Sequence, residues 1–142
     1  MSGEHVIKQL SVFMNNEPGH LARVAAVLKE CNVNIKAFNI AESSGFGVFR
    51  AIVDDPGKAF TELSKKGIVV KETDVIAMPM NDRPGGLLDV AKVIGDANIN
   101  IEYGYAYANA GRAAFFFRAD DTDAAVSVLR AAGMKMLTES EL

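Results

Sequence analysis

Two Pro-Gly steps in this sequence have the residue types that suit the binding of a small carboxylate. Pro18-Gly19 and Pro84-Gly85 each stand between a segment of alternating apolar residues and a segment of helical spacing. A glycine at such a junction lets the backbone turn sharply and leaves the N–H groups of a helix N-terminus unobstructed. The sequence therefore predicts two corners that can receive a carboxylate group.

Candidate acceptors for an ammonium group accompany the two corners. The side-chain carbonyls of Asn34 and Asn100 and the carboxylates of Asp82 and Glu102 can each accept hydrogen bonds from an ammonium. Glu102 is flanked by apolar and aromatic residues, where an unpaired carboxylate would be costly. Amide donors together with these oxygens predict a site for a free amino acid.

The same residues have structural interpretations that the sequence leaves open. A Pro-Gly step between a strand and a helix is often only a turn. Asn34 and Asn100 can bond the local backbone, Asp82 can cap a helix, and Glu102 can point to solvent. His20, in the first corner, can contact a ligand carboxylate or simply begin a solvent-facing helix.

The other reactive residues form no catalytic or metal-binding pattern. His5 and His20 are far apart in sequence, without Cys or carboxylate at ligand spacing. Cys31, the single cysteine, lies on an apolar helical stripe, where we expect a small buried core residue. The segment 45–47 begins like a dinucleotide loop, but Arg50 stands in place of its third glycine. We therefore expect no catalytic residue, no metal and no cofactor.

Length and composition are those of an ordinary globular chain. Its 142 residues are 49% hydrophobic and 23% charged. The net charge of -3 favours neither nucleic acid nor an anionic membrane as a partner. No apolar segment approaches the roughly 18 residues that a membrane span needs, and the N-terminus lacks the pattern of a signal peptide. We expect a cytoplasmic protein.

The elements that must position the corners occur twice. When the chain is shifted by 66 residues, the two Pro-Gly steps coincide and residues 32–35 align with residues 98–101. Roughly a quarter of the aligned positions are identical, and no gap is needed. The sequence therefore predicts two copies of one module, residues 1–73 and residues 74–142.

Each copy has the pattern β-α-β-β-α-β. Alternation of Leu10, Val12 and Met14 predicts the first strand, and apolar residues at i, i+3, i+4 and i+7 after each Pro-Gly step predict the first helix. A hairpin and a second helix follow. The remaining predicted strands are 33–41, 47–53 and 68–70, with twins at 99–107, 113–119 and 134–136. The second helices are expected to have capping carboxylates at Asp54, Asp55, Asp120 and Asp121, and left-handed ends at Gly67 and Gly133.

This order predicts the α+β fold class, with two ferredoxin-like βαββαβ modules in tandem and the helices of each on one face of an antiparallel sheet. A module of about 70 residues buries only part of its surface, so it gains stability by packing against another. Phe115 and Phe117 alternate with Ala114 and Phe116, so both sides of this strand are apolar. The side that the helices leave uncovered is then an interface or a patch that promotes aggregation.

Four segments carry a resemblance to a known family. They are the loop Asn16-Glu17-Pro18-Gly19-His20-Leu21, its twin Asp82-Arg83-Pro84-Gly85-Gly86-Leu87, and the strand starts Val33-Asn34-Ile35 and Ile99-Asn100-Ile101. Together they resemble the ACT domain, twice over and across nearly the whole chain. The resemblance implies βαββαβ modules that bind an amino acid or another small metabolite at the boundary between paired modules, in a stand-alone tandem ACT protein.

The resemblance also implies which residues touch the ligand. In serine-sensing members of the family, contacts come from the polar residue three before the loop glycine and from the Asn that opens the second strand. By that pattern the contacts here are Asn16 with Asn34, and Asp82 with Asn100. The complete set of predicted ligand-binding residues is Asn16, Gly19, His20, Leu21, Asn34, Ile35, Asp82, Gly85, Gly86, Leu87, Asn100, Ile101 and Glu102.

Three functions follow as hypotheses. The first is a non-catalytic regulatory or sensory protein that binds a free amino acid through its Pro-Gly corners. The alternative is a regulatory subunit that docks on an amino-acid biosynthetic enzyme through its apolar sheet face. The third is an acylphosphatase-like hydrolase. Such enzymes hold phosphate with an Arg-bearing loop after the first strand, whereas residues 15–21 contain no Arg and the second copy offers only Arg83.

The segment that joins the copies bears on oligomeric state. If two modules paired edge to edge through their second strands, the strands to be joined would lie about six strand spacings, or close to 29 Å, apart. Residues 68–80 must contain both of those strands and the connection, which leaves almost no slack. We therefore expect either a very short closing strand or edge pairing between the chains of a homodimer, and we favour the homodimer.

Overall fold

Strands and helices follow one another in the computed structural model in nearly the predicted order; it describes residues 5–15, 17–109 and 112–142. The strands are β1 (Ile7–Asn15), β2 (Ile35–Ser43), β3 (Phe46–Val53), β4 (Val69–Met80), β5 (Ile101–Asn109) and β6 (Arg112–Ala119). The helices are α1 (His20–Glu30), α2 (Pro56–Lys65), α3 (Gly86–Asp96) and α4 (Thr122–Ala131), and a 3-10 turn covers Glu139–Glu141. The predicted α+β class is confirmed.

The chain divides into two compact units. The first unit is Lys8–Thr73, and the second unit is Asp74–Leu142 together with residues 5–7. In the first unit β3 pairs antiparallel with β1 on one side and with β2 on the other. Its core joins α1 and α2 to the face of β1 and β3 that carries Leu10, Val12, Phe49 and Ala51.

The second unit repeats this plan. Here β6 pairs antiparallel with β4 and with β5. Its core joins α3 and α4 to the sheet face that carries Ile76, Met78 and Phe117. Both units also share a register shift at the start of an outer strand, between Ile35 and Ala37 in β2 and at the equivalent place in β5.

The helix boundaries follow from local chemistry. Asp55 and Asp121 cap α2 and α4, because each carboxylate accepts the N–H of a residue in the first helical turn, Lys58 or Ala124. After α2 the chain leaves through Gly67, which has a φ of 76°, and Gly133 does the same after α4 with a φ of 73°. The predicted left-handed ends are confirmed.

The first residue of each predicted capping pair has a different role. The side chain of Asp54 accepts the N–H of Asn34, and the side chain of Asp120 accepts the N–H of Asn100. In return the carbonyls of these asparagines accept the N–H groups of the two aspartates. These residues therefore join the start of the second strand of each unit to the end of its third.

The predicted closing strand at residues 134–136 is wrong. These residues form no strand, and the N–H of Leu137 makes a backbone hydrogen bond of 2.7 Å to the carbonyl of Ala77. The first copy has the β-branched run 68–70 at this place, whereas the second has two methionines and a lysine, which favour a strand less. Instead, Lys135 forms a 2.7 Å ion pair with Glu141, and Thr138 and Glu141 form a capping box.

The segment expected to connect the two copies contains no loop, since Val69–Met80 is a single strand. The choice between a very short closing strand and edge pairing in a homodimer stays a prediction. The first five residues of β4 belong to the first unit, where Thr73 shares a 3.3 Å hydrogen bond with Ser11 of β1, and the others belong to the second unit. The assignment of modules to residues 1–73 and 74–142 stays a prediction.

Apolar residues outside the helix-covered cores differ between the units. In β6, Phe116 is 1% exposed and its ring stacks on Tyr105 and Tyr107 of β5. In the first unit, Phe38 is 58% exposed and Phe46 is 66% exposed. The sequence predicts an uncovered apolar side on β6, but the phenylalanine on that side is buried. The exposed aromatic rings belong instead to β2 and β3 of the first unit.

Cys31, at the end of α1, is half-buried against the first core, and its thiol donates to the carbonyl of Leu28 at 3.5 Å. Within the described ranges, no helix combines the length and apolar character needed to cross a membrane.

Candidate functional site

The first helix of each unit begins without a side-chain cap. Gly19 and Gly85 are the N-cap residues of α1 and α3, both with a φ of 92°, and among the described residues no side chain accepts a hydrogen bond from either helix start. Such a backbone conformation requires glycine, because a Cβ is strained there. The Asp-capped helices α2 and α4 lack this feature, so the open helix starts coincide with the two predicted corners.

The backbone of the two corners leaves amide donors available. In the first corner the N–H of His20 donates to Glu17 and that of Arg23 donates to Gly19. The N–H groups of Leu21 and Ala22 lie between them and have no acceptor among the described residues. The second corner has the same pattern, which leaves the N–H groups of residues 87 and 88 available. Adjacent free amides at a helix N-terminus suit a carboxylate.

The residue after the glycine distinguishes the corners. His20 Nδ1 donates to the carbonyl of Asn15 at 2.6 Å, and its Nε2 lies 3.7 Å from a carboxylate oxygen of Glu17. Gly86 is buried, and a Cβ built there would overlap the carbonyl oxygen of Asn81. The first corner therefore has an imidazole where the second has backbone packed against backbone.

A groove lies beside each corner. The α1 groove has a volume of about 150 Å³, and the α3 groove has a volume of about 220 Å³. Residues lining the α1 groove include Phe13, His20, Arg23, Val24, Gly67 and Ile68. Residues lining the α3 groove include Pro79, Asn81, Gly86, Asp89, Val90 and Met134. Most of these occupy equivalent positions in the two copies, so the grooves are the same feature of the fold.

The charges around the two grooves are reversed. Arg23 lines the α1 groove and Asp89 occupies the equivalent position in the α3 groove. Outside the lining residues, Glu17 is likewise replaced by Arg83. Arg23 also donates to the carbonyl of Lys66 at 2.7 Å, which ties α1 to the end of α2. Arg23 and Asp89 are not among the site residues predicted from the sequence, although their opposite charges at equivalent positions of the repeat could have identified them.

The predicted asparagines lie away from the corners of their own units. Asn34 and Asn100 are exposed and follow the C-terminal ends of α1 and α3. Each of these helices has 11 residues and is about 16 Å long, so a corner and an asparagine of the same unit lie at opposite ends. Asn34 lines a separate cavity of about 450 Å³ with Lys29 and Asp54.

The other predicted site residues that the structure describes are exposed or half-buried. Leu21, Leu87 and Asp82 are exposed, while Ile35 and Ile101 are half-buried at the starts of their strands. Asn16 lies outside the described residues.

Glu102 already has a partner in the structure. Its carboxylate accepts a 3.0 Å hydrogen bond from Arg118 Nε, within an exposed ion pair between neighbouring strands. The flanking aromatic residues therefore do not leave Glu102 unpaired. A ligand ammonium at this position would have to share the carboxylate with Arg118.

Comparison with known proteins places these features in a family. The family model of the ACT domain pair matches residues 5–142. A solved structure from Bacteroides thetaiotaomicron is 36% identical, covers 96% of this chain and 95% of its own, and superposes with a TM-score of 0.91. No curated protein sequence matches the chain.

More distant solved structures share the fold. The regulatory subunit of aspartate kinase from Thermus thermophilus, in its ligand-free form, is 15% identical, with a TM-score of 0.63 and coverage of 91% of this chain and 95% of its own. The corresponding subunit from Thermus flavus is 14% identical, with a TM-score of 0.58 and coverage of 89% and 94%. At this level of identity the similarity shows the fold alone.

Proposed function

The chain belongs to the ACT domain pair family, and on that premise we propose that it is a regulatory protein that binds a free amino acid and has no catalytic activity of its own. The observation that carries this proposal is the pair of open helix starts at Gly19 and Gly85. Two uncapped N–H groups and the positive end of a helix dipole attract the ligand carboxylate there.

The ammonium end of the ligand needs oxygen acceptors. Asp82 lies in the second corner, while the exposed Asn34 and Asn100 lie about a helix length from the corners of their own units. We propose that a second copy of the chain supplies the asparagine, in a cytoplasmic homodimer. Light scattering after size exclusion at micromolar concentration should give the mass of two chains, and the mass of one chain would contradict this part of the proposal.

The test of amino-acid binding compares two substitutions of one residue. Leu87→Pro removes an uncapped N–H in the first helical turn, where proline is tolerated, whereas Leu87→Ala removes the same exposed side chain and keeps the N–H. We expect a selective ligand among the twenty amino acids to raise the melting temperature of the wild-type protein and of Leu87→Ala, because ligand binding stabilises the native state. The proline variant should bind this ligand at least about fivefold more weakly, the equivalent of one lost hydrogen bond.

A control variant and the same pair of substitutions in the first corner complete the binding test. Asp121→Ala should lower stability by about 1 kcal/mol through loss of the α4 cap and leave ligand affinity unchanged. The same Pro and Ala pair at Leu21 reports on the first corner. A flat response to all twenty amino acids, or equal affinities in the Pro and Ala variants at both leucines, would contradict the proposal.

We propose a regulatory subunit of an amino-acid biosynthetic enzyme as the second candidate. Two similar solved structures are regulatory subunits of aspartate kinase, and the exposed rings of Phe38 and Phe46 offer apolar surface for docking. Co-purification of a stable enzyme partner, lost in a Phe38→Ser and Phe46→Ser variant that still binds amino acids, would favour this role over a free-standing sensor.

A further inference from the structure

We propose that the two grooves select amino acids by the charge of the side chain. The α1 groove takes an acidic side chain and the α3 groove takes a basic one. This inference rests on the proposed function, since the ligand carboxylate is placed at the uncapped amides and its side chain enters the adjacent groove.

The position of the charged residue connects corner and groove. Arg23 and Asp89 lie four residues after Gly19 and Gly85, so each is one helical turn beyond its corner and on the same helix face. Side chains on a helix lean toward its N-terminus, which directs these two charges toward the corner. A ligand held at the free amides therefore has its side chain beside residue 23 or residue 89.

The α3 groove presents a carboxylate among mainly apolar residues. Asp89 and Asn81 line it, together with the apolar residues Pro79, Val90 and Met134. Asp89 makes no ion pair within the described part of the chain, and no cationic residue lines this groove. The carbonyl of Asn81 fills the space that a side chain at Gly86 would take, so this groove has no counterpart of the His20 imidazole. These features suit a ligand with an apolar stem and a cationic end.

The α1 groove presents donors instead. Arg23 uses one guanidinium nitrogen on the carbonyl of Lys66, and its other N–H groups can serve a ligand. His20 also lines the groove, but its Nδ1 proton is already donated to the carbonyl of Asn15, so the donors left for a ligand are those of Arg23. Glu17 faces the imidazole ring without lining the groove. With a volume of about 150 Å³, this groove is also the smaller one. A short side chain that ends in a carboxylate matches both its size and its donors.

Calorimetry with matched ligands tests the inference on the full-length protein. L-lysine and L-norleucine differ in the ammonium group, and L-aspartate and L-asparagine differ in charge with nearly the same shape. We expect Asp89→Asn to weaken lysine binding about tenfold or more and to change norleucine binding less than about twofold, as loss of a charged hydrogen-bond partner predicts. Arg23→Gln should do the same for aspartate and leave lysine unaffected.

The outcomes separate this inference from the proposed function. Equal effects of Asp89→Asn on lysine and norleucine, or competition between lysine and aspartate for one site, overturn charge selection while amino-acid binding stands. Binding of none of the four ligands or of the other amino acids to the wild-type protein overturns both. Because Asp89 is exposed, Asp89→Asn is expected to fold, so the α3 groove can be tested even if Arg23→Gln is unstable.

Discussion

The corners at Gly19 and Gly85 share a backbone conformation and differ in what surrounds it. Both glycines have a φ of 92° and precede an 11-residue helix. The next residue in the first corner is His20, bonded to the carbonyl of Asn15, whereas Gly86 in the second corner packs directly against the carbonyl of Asn81. The repeat therefore preserves the turn itself and varies the space beside the first helical residue.

Backbone geometry constrains only some positions of the repeat. Asn32 and Asn98 have the same φ of 59°, as the helix-ending turns require. Positions that only line the grooves, such as Arg23 and Asp89, have changed the sign of their charge without altering the fold. Duplicate corners of one shape can therefore serve ligands of different chemistry.

A side chain placed in the tighter corner should destabilise the protein most. Gly86→Ala brings a Cβ onto a backbone carbonyl that has no rotamer to change, so we expect it to lower the free energy of unfolding by about 1–3 kcal/mol in urea denaturation. Gly95→Ala, in the same helix with open space around it, should instead stabilise by about 0.5–1 kcal/mol. If both substitutions raise the free energy of unfolding, the second corner has room for a side chain at residue 86. The structural difference described between the two corners would then be wrong.

An intermediate effect is expected at equivalent positions of the outer strands. A Cβ at Gly104 would lie 2.6 Å from the ring of Phe115, which also stacks on Phe117 at 5.1 Å. We expect Gly104→Ala to cost about 1–2 kcal/mol, because this ring must move out of a packed core. In the first unit the equivalent residue is Phe38, and Phe38→Ala should cost under about 1 kcal/mol because the ring is 58% exposed. Chemical denaturation of the two variants side by side tests whether only the second unit needs a glycine here.

The smallest effect concerns how the second unit ends. The hydrogen bond from Lys135 lowers the pKa of Glu141 from 4.5 to about 2, with a further contribution from the N–H of Thr138. A lowered folded-state pKa means that the carboxylate stabilises the native state above pH 4.5 and loses this contribution as the pH falls toward 2. NMR titration of Glu141 should show this lowered midpoint.

Glu141→Gln tests the ion pair with Lys135 at the end of the second unit. It should speed hydrogen exchange at the Leu137 amide near neutral pH, while amides of the first unit keep their rates. Lys135→Met should have a similar effect, since it removes the other member of the ion pair. If Glu141 titrated with a midpoint near pH 4.5, its ion pair with Lys135 would not be what holds the end of the second unit in place.

Much of the fold could be predicted because its signals are local. Leu10, Val12 and Met14 alternate with other residues because successive side chains of a strand point to opposite faces. The capping role of Asp55 depends only on residues within one helical turn. The closing strand at 134–136 was predicted wrongly because the twin residues 69–70 begin a strand, whereas Glu141 and Thr138 form a competing turn after residue 136.

The candidate site was less accessible from sequence because its chemistry depends on distant contacts. Glu102 meets Arg118 across a register shift, and no pattern in either strand specifies where that shift falls. The need for glycine at position 86 comes from a carbonyl five residues earlier, which the strand places against the helix start. The corners themselves were predictable, since a proline and a glycine before a helical stripe describe a turn.

The single thiol of the chain has a practical consequence. Cys31 lies at the end of α1 opposite Gly19, and its twin in the second copy is an alanine. A fluorine-bearing thiol reagent would therefore add one resonance, which belongs to the first unit alone. Titrating each amino acid against that resonance would show whether the first unit responds to the ligand, without any substitution in the protein.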